Sequence, residues 1–215
     1  RHFEVRQERR LLEVKRLEDE IKRLREEHPN TKVYAVIADI GASGAYYIAA
    51  AADEIYADKA SLVGSIGVTA AGFGFVETLD KLGVERRTYA SGEHKTFLDP
   101  FQPEKPEERQ FWQTVLDTTH RQFIEQVKAG RGERLKDHPE LFSGLVWSGE
   151  QALELGLVDG LASTSTVARD IIGAEETVDY THRESPLQRF TRQLGTSMGN
   201  AIATHLGLSA SPGLR

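Results

Sequence analysis

Val33-Tyr34-Ala35-Val36-Ile37-Ala38-Asp39-Ile40-Gly41-Ala42-Ser43-Gly44-Ala45-Tyr46-Tyr47 is the stretch whose reading decides the fold. Its first five residues are apolar and mostly β-branched, the composition of a buried parallel strand. Ile48-Ala49-Ala50-Ala51-Ala52 follows, dominated by the strongest helix former. Ser43 therefore falls where a strand turns into a helix, between Gly41 and Gly44, whose lack of a side chain permits a sharp turn and a close neighbour. Two readings fit such a serine. It is a favoured helix N-cap residue. It is equally a nucleophile, because the unpaired N–H groups at a helix start stabilise negative charge forming beside it.

Outward from this turn, strands and helices alternate. Glu54 to Ala57 and Ser61 to Val68 read as short strands, the second interrupted by glycines. A helix through Val76, Leu79 and Leu82 is stopped by Gly83, and Val84 to Tyr89 returns as a strand. Pro106 opens a long helix through Phe111, Val115, Phe123 and Val127, ended by Gly130 and Gly132. Ser148-Gly149-Glu150-Gln151 starts another helix, Val167 to Ile172 a further one, and Glu176 to Tyr180 is a last strand candidate. This alternation predicts a layered α/β domain with a mainly parallel sheet.

Two helical extensions flank that domain. Leu11, Val14, Leu17, Ile21 and Leu24 recur at three- and four-residue steps in a highly charged segment, one apolar stripe on a helix lying against the domain or a partner. A weaker amphipathic pattern runs from Leu187 to Leu206. The expected organisation is a charged helix over residues 1–30, a core over 31–181 and a C-terminal helix and tail over 182–215.

Composition removes several classes of function. The formal charge of −6 and the lack of a basic run interleaved with aromatics argue against nucleic-acid binding. The absence of cysteine rules out disulfides and thiolate metal sites, and no histidine pair has metal-ligand spacing, so no metal or cofactor is expected. No apolar run reaches the length of a membrane span. The sequence begins at Arg1, not Met, and reads as a trimmed or processed piece whose membrane anchor would lie in the missing part.

A serine hydroxyl needs a base to remove its proton. None of the seven histidines sits in a recognisable motif; His120 lies mid-helix, and His94 shares a glycine-containing loop with other polar residues. Lysine is the other option, since burial of an ammonium favours the neutral amine that accepts a proton.

Gly41-Ala42-Ser43-Gly44-Ala45-Tyr46-Tyr47, then Gly64-Ser65-Ile66-Gly67-Val68, then Ser91-Gly92-Glu93-His94-Lys95 resemble, in order and spacing, the signal peptide peptidase A family of serine peptidases, most of all its single-domain, SohB-like members. Ala51-Ala52-Asp53-Glu54-Ile55-Tyr56-Ala57, Asp80-Lys81-Leu82-Gly83-Val84, Gly130-Arg131-Gly132, Trp147-Ser148-Gly149-Glu150-Gln151-Ala152 and Gly156-Leu157-Val158-Asp159 extend the match, which covers Leu17 to Tyr180. The resemblance implies a ClpP/crotonase-like fold and a Ser–Lys dyad. Ser43 would be the nucleophile, Lys95 the general base, Ser65 the residue that holds the lysine amine, and the Gly44 N–H an oxyanion-hole donor.

It further implies an endopeptidase acting on extended peptides such as cleaved signal peptides or membrane-protein fragments, assembled as a homo-oligomer. Its place would be the bacterial inner membrane, with the catalytic domain outside the cytoplasm. One family feature has no counterpart. A Ser-Pro-Gly-Gly turn that completes the oxyanion hole is replaced by the charged segment around Arg9 and Arg10, and a seam is expected between Arg10 and Leu17. An idle oligomeric scaffold and a crotonase-type acyl-CoA enzyme are the competing functions on the same fold.

Overall fold

The computed structural model describes residues 2–174 and 176–180. These fall in two units, residues 1–174 and 175–215.

The apolar run before Ser43 forms β1 (Tyr34–Ile37). β1 pairs in parallel with β3 (Glu54–Ala57), Tyr34 opposite Glu54 and Ile37 opposite Ala57. β3 in turn pairs in parallel with the short β6 (Gly160–Leu161). A second sheet has the order β2 (Ile40–Ala42), β4 (Leu62–Gly64), β5 (Val146–Ser148). β2 and β4 are parallel and β5 is antiparallel to β4. Parallel neighbours need crossover connections, which the helices supply. The class is α/β with mainly parallel pairing, as the alternation predicts.

α2 (Gly44–Ala49) leaves the Ser43 turn and runs into the core. Ala49, Ala50, Ala51 and Ala52 are all buried. Alanine is needed there because α4 (Pro106–Arg131) passes very close: a Cβ on Gly130 would collide with the Ala50 carbonyl oxygen. Tyr46, Ile55, Val63, Ile66, Phe123, Val127 and Leu157 fill the space between the sheets and these two helices. α5 (Gly149–Glu154) opens with a capping box in which Ser148 accepts from the Gln151 N–H at 3.2 Å and donates its own N–H to the Gln151 side chain at 2.9 Å. α6 (Thr164–Thr166) continues into a π-helical turn over Val167–Ile172.

A buried ion cluster ties the end of α4 to the sheet. Arg131 is 1% exposed, makes a bidentate pair with Asp159 and donates to the Gly156 carbonyl. Asp159 also accepts from the Ile55 N–H. Burial alone would push the Asp159 carboxyl up. Hydrogen bonds from Arg131 and Ile55, with the charges of Arg131 and Arg134, outweigh this and hold it below the usual carboxylate range.

Four expectations fail in the structure, in whole or in part. Val84 to Tyr89 is not a strand: every residue of it is exposed, and no neighbouring strand offers a ladder. Glu176 to Tyr180 likewise forms no strand. The strand expected over Ser61 to Val68 shrinks to Leu62–Gly64, because Gly64 and Ser65 turn to positive φ and leave the ladder. The helix α1 (His2–Glu27) forms and lies against α2, but among the described side chains of the expected apolar stripe only Val14 and Ile21 face inward, and Leu17 and Leu24 do not. Val14, Ile21 and Arg25 are partly covered and Glu18 fully, while Leu17 is 53% exposed and Leu24 38%. Glu18 tolerates burial because Lys15 and Lys22 both pair with it, and Arg25 is drawn inward by Asp53. Leu11 precedes the first described side chain, and the helix expected over Leu187 to Leu206 lies outside the described residues.

Candidate active site

β2 and β4 end level with each other, Ala42 opposite Gly64. The next residue on each strand is therefore a serine, and the two candidate serines become neighbours at the carboxyl ends of parallel strands. That edge is where open α/β sheets place their ligand sites. The Ser43 N–H donates to the Gly64 carbonyl at 2.8 Å, and the Ser65 N–H donates to the Leu145 carbonyl at 2.8 Å.

Both serines have positive φ, 55° at Ser43 and 50° at Ser65. A side chain at such φ costs of order 1–3 kcal/mol and persists where surrounding structure imposes it. At Ser43 the combination with ψ of −125° turns the chain abruptly from β2 into α2. The hydroxyl makes no capping hydrogen bond to the helix, so the N-cap reading does not describe its use. Ser43 is exposed and its side chain stands free at the turn. Gly44 sits under α1, where a Cβ would lie 3.0 Å from a methyl of Val14.

The Ser65 turn is braced by residues distant from it in sequence. Gly64 has φ of 97°, and the Trp147 ring packs where its Cβ would be. The Trp147 indole nitrogen is buried without a hydrogen-bond partner among the described residues. Gly67 lies against the Cα of Gly144. His120, far away in sequence on α4, reaches the carbonyl of Ile66 at 3.0 Å. Only the tertiary contact marks Gly144 and His120, whose local pattern differs in nothing from ordinary loop and helix positions, whereas Gly64, Gly67 and Trp147 stand in the matched motifs.

Lys95 lies in the exposed segment that follows α3 (Val76–Leu82). It belongs to a run of turns over residues 91–99, its N–H bonded to the Gly92 carbonyl at 3.2 Å and its Cγ close over Gly92. It is exposed, and lines an open depression with Arg86, Tyr89, Ser91 and Leu98 that includes neither serine. The structure thus brings Ser43, Gly44 and Ser65 together and leaves Lys95 in an exposed excursion. Among residues 67–107 none is buried; Glu108, at the start of α4, is, and its carboxylate accepts from the Leu98 N–H at 3.0 Å.

Among the described residues there is no cluster of side chains fit to hold a metal ion, and no helix long and apolar enough to cross a membrane.

The exposed Ser43 thus stands on a strained turn between a strand and a helix, at the carboxyl ends of two parallel strands. The sequence pattern of Peptidase family S49 matches residues 25–176, and the chain belongs to that family. A Brucella abortus (strain 2308) protein named Na(+)/H(+) antiporter NhaA is 44% identical over 181 residues, which is 82% of this chain and 25% of that protein. The chain spans a quarter of that relative, and the antiporter name belongs to the longer protein. A Synechocystis protein with a protease description, slr0021, is 34% identical over 84% of this chain and 67% of its own length. A protein of Enterococcus faecium bearing the name signal peptide peptidase SppA is 32% identical over 83% of this chain and 52% of its own.

Proposed function

We propose that the chain carries the catalytic portion of a serine endopeptidase of the ClpP/crotonase-like fold, working through a Ser43–Lys95 dyad. The observation that carries this reading is the exposed, uncapped Ser43 hydroxyl at positive φ, next to Ser65 on the adjoining strand. Ser43 Oγ attacks the scissile carbonyl while the neutral Lys95 amine takes its proton. The Gly44 N–H faces the oxyanion, Lys95 returns the proton to the leaving amine, and water then hydrolyses the acyl-enzyme. Ser65 holds the Lys95 amine in line. Substrates are extended peptides such as cleaved signal peptides, bound by their backbone along the sheet.

The dyad requires the exposed segment over residues 67–105, which carries Lys95, to be covered so that the amine is held at Ser43. Phe73, Leu82, Val84 and Tyr89 give it more bare apolar surface than a lone domain of this size covers. A homo-oligomer in which another copy covers this segment supplies that support. Labelling with a serine-reactive fluorophosphonate, read by intact mass, tests the proposal. One adduct is expected, lost in Ser43→Ala and retained in a surface serine control; an adduct that survives Ser43→Ala sinks it. Binding of a CoA thioester in place of labelling would favour an acyl-CoA enzyme, and neither result would leave a scaffold.

A further inference from the structure

The turn carrying Ser65 is anchored to α4 by a side chain that the peptidase reading does not use. His120 places Nε2 3.0 Å from the Ile66 carbonyl oxygen. A carbonyl only accepts, so Nε2 carries the hydrogen in this contact. Ile66 is fully buried and directly follows Ser65. Among the described residues no backbone N–H pairs with its carbonyl, so His120 is that oxygen's partner. A buried carbonyl without a donor is costly, and the turn would shift to find one.

The other restraints from outside this turn come from the end of β2, whose Ser43 N–H donates to the Gly64 carbonyl, and from the chain around β5: the Leu145 carbonyl on the Ser65 N–H, the Trp147 ring at Gly64, and Gly144 at Gly67. They fix the turn from the sheet. His120 adds the restraint from the helix layer, one residue from Ser65, where a positive φ has to be imposed from outside. We propose that His120 is a positioning residue for Ser65. By tying Ile66 to α4 it fixes the direction of the Ser65 hydroxyl, and through it the amine of the general base. It touches neither substrate nor nucleophile. The inference rests on the reading of Ser43 and Ser65 given above.

Two substitutions separate this role from simple packing. His120→Gln keeps an N–H at the reach of Nε2, whereas His120→Phe keeps the ring and loses the donor. On a peptide substrate, His120→Phe should lower kcat about tenfold with KM unchanged, the size of one lost hydrogen bond transmitted to the site, and His120→Gln should stay within about twofold. In a Ser65→Ala background His120→Phe should have no further effect, because the group it positions is gone. Equal losses in the Gln and Phe variants overturn the proposal. So does a Phe variant with full kcat, or a Phe effect undiminished in Ser65→Ala. The hydrogen bond is read without turnover by long-range 1H–15N spectra of the imidazole in the full chain: Nε2–H is expected, and an Nδ1–H tautomer overturns the contact whatever the activity. Ser43→Ala is run alongside. Cleavage that survives it removes the nucleophile reading, while the tautomer still decides whether His120 holds Ile66.

Discussion

Two parts of the chain carry the candidate chemistry, and they are built in opposite ways. The serine half, over β2, β4 and the start of α2, lies on the buried core, and its two strained serines donate their N–H groups to the Gly64 and Leu145 carbonyls. The lysine half, residues 67–105, holds no buried residue and leans on Glu108 and on local turns. Few buried contacts mean a low free energy of local opening. The contrast sets a candidate nucleophile held by its own fold beside a candidate base on an exposed segment with no buried residue.

The sharpest way to break this contrast is at the two reactive groups. Ser43→Ala should lower peptide cleavage by about 10³-fold or more with an unchanged melting temperature, since the side chain packs against nothing. Substantial residual cleavage would move the nucleophile elsewhere. Lys95→Ala and Lys95→Arg should both lower the rate by about 10²-fold or more, because guanidinium keeps the charge but does not release a proton. Neither should alter thermal stability, since Lys95 is exposed. An active Lys95→Arg would make Lys95 an electrostatic anchor instead of a base.

Stability should respond only in the serine half. Asp159→Asn leaves Arg131 charged, buried and uncompensated, at a cost of about 3 kcal/mol in urea unfolding. The same residue sets an acid limb. Its carboxyl titrates below the ordinary value in the folded chain. Its contribution is therefore complete above about pH 4, the unfolded value, and lost as pH falls through the lowered folded value. Asp159→Asn should flatten that limb; an unchanged acid profile would assign it to other carboxylates.

A smaller effect separates the halves by their glycines. Gly130→Ala drives a methyl into the Ala50 carbonyl and should cost about 1–3 kcal/mol. Gly72→Ala meets open space and should change stability by less than about 1 kcal/mol, in the favourable direction if either. Equal effects in the two variants would mean that the excursion is as tightly held as the core.

Much of this was legible in the residues themselves. The strand before Ser43, the helix start after it, the Pro106-to-Gly132 helix and the Ser148 cap all follow from short-range physics, while the alanine run expected as helix leaves α2 at Ala49 and turns through Ala50–Ala52. Apolar period, side-chain entropy and the fixed φ of proline act over a few residues and leave their mark in order along the chain. The three-motif match to the peptidase family was legible as a resemblance, carried by the order and spacing of the motifs. Where local pattern and tertiary environment compete, the sequence misled. Val84 to Tyr89 has strand-like composition but no partner strand, and a strand is defined by its ladder. The stripe on α1 points Leu17 and Leu24 outward because Glu18, doubly paired with lysines, takes the inward place.

What the chain alone determined is α4, the strand over Glu54–Ala57, the capped start of α5 and the glycine-flanked turn at Ser43. Tertiary structure decided which ends meet: the β2–β4 register that sets Ser43 beside Ser65, the positive φ at Ser65, and the reach of His120 to Ile66. Those depend on pairings between residues far apart in sequence, whose free energy comes from burial and hydrogen bonds formed only when the layers close, so no local window of residues contains them.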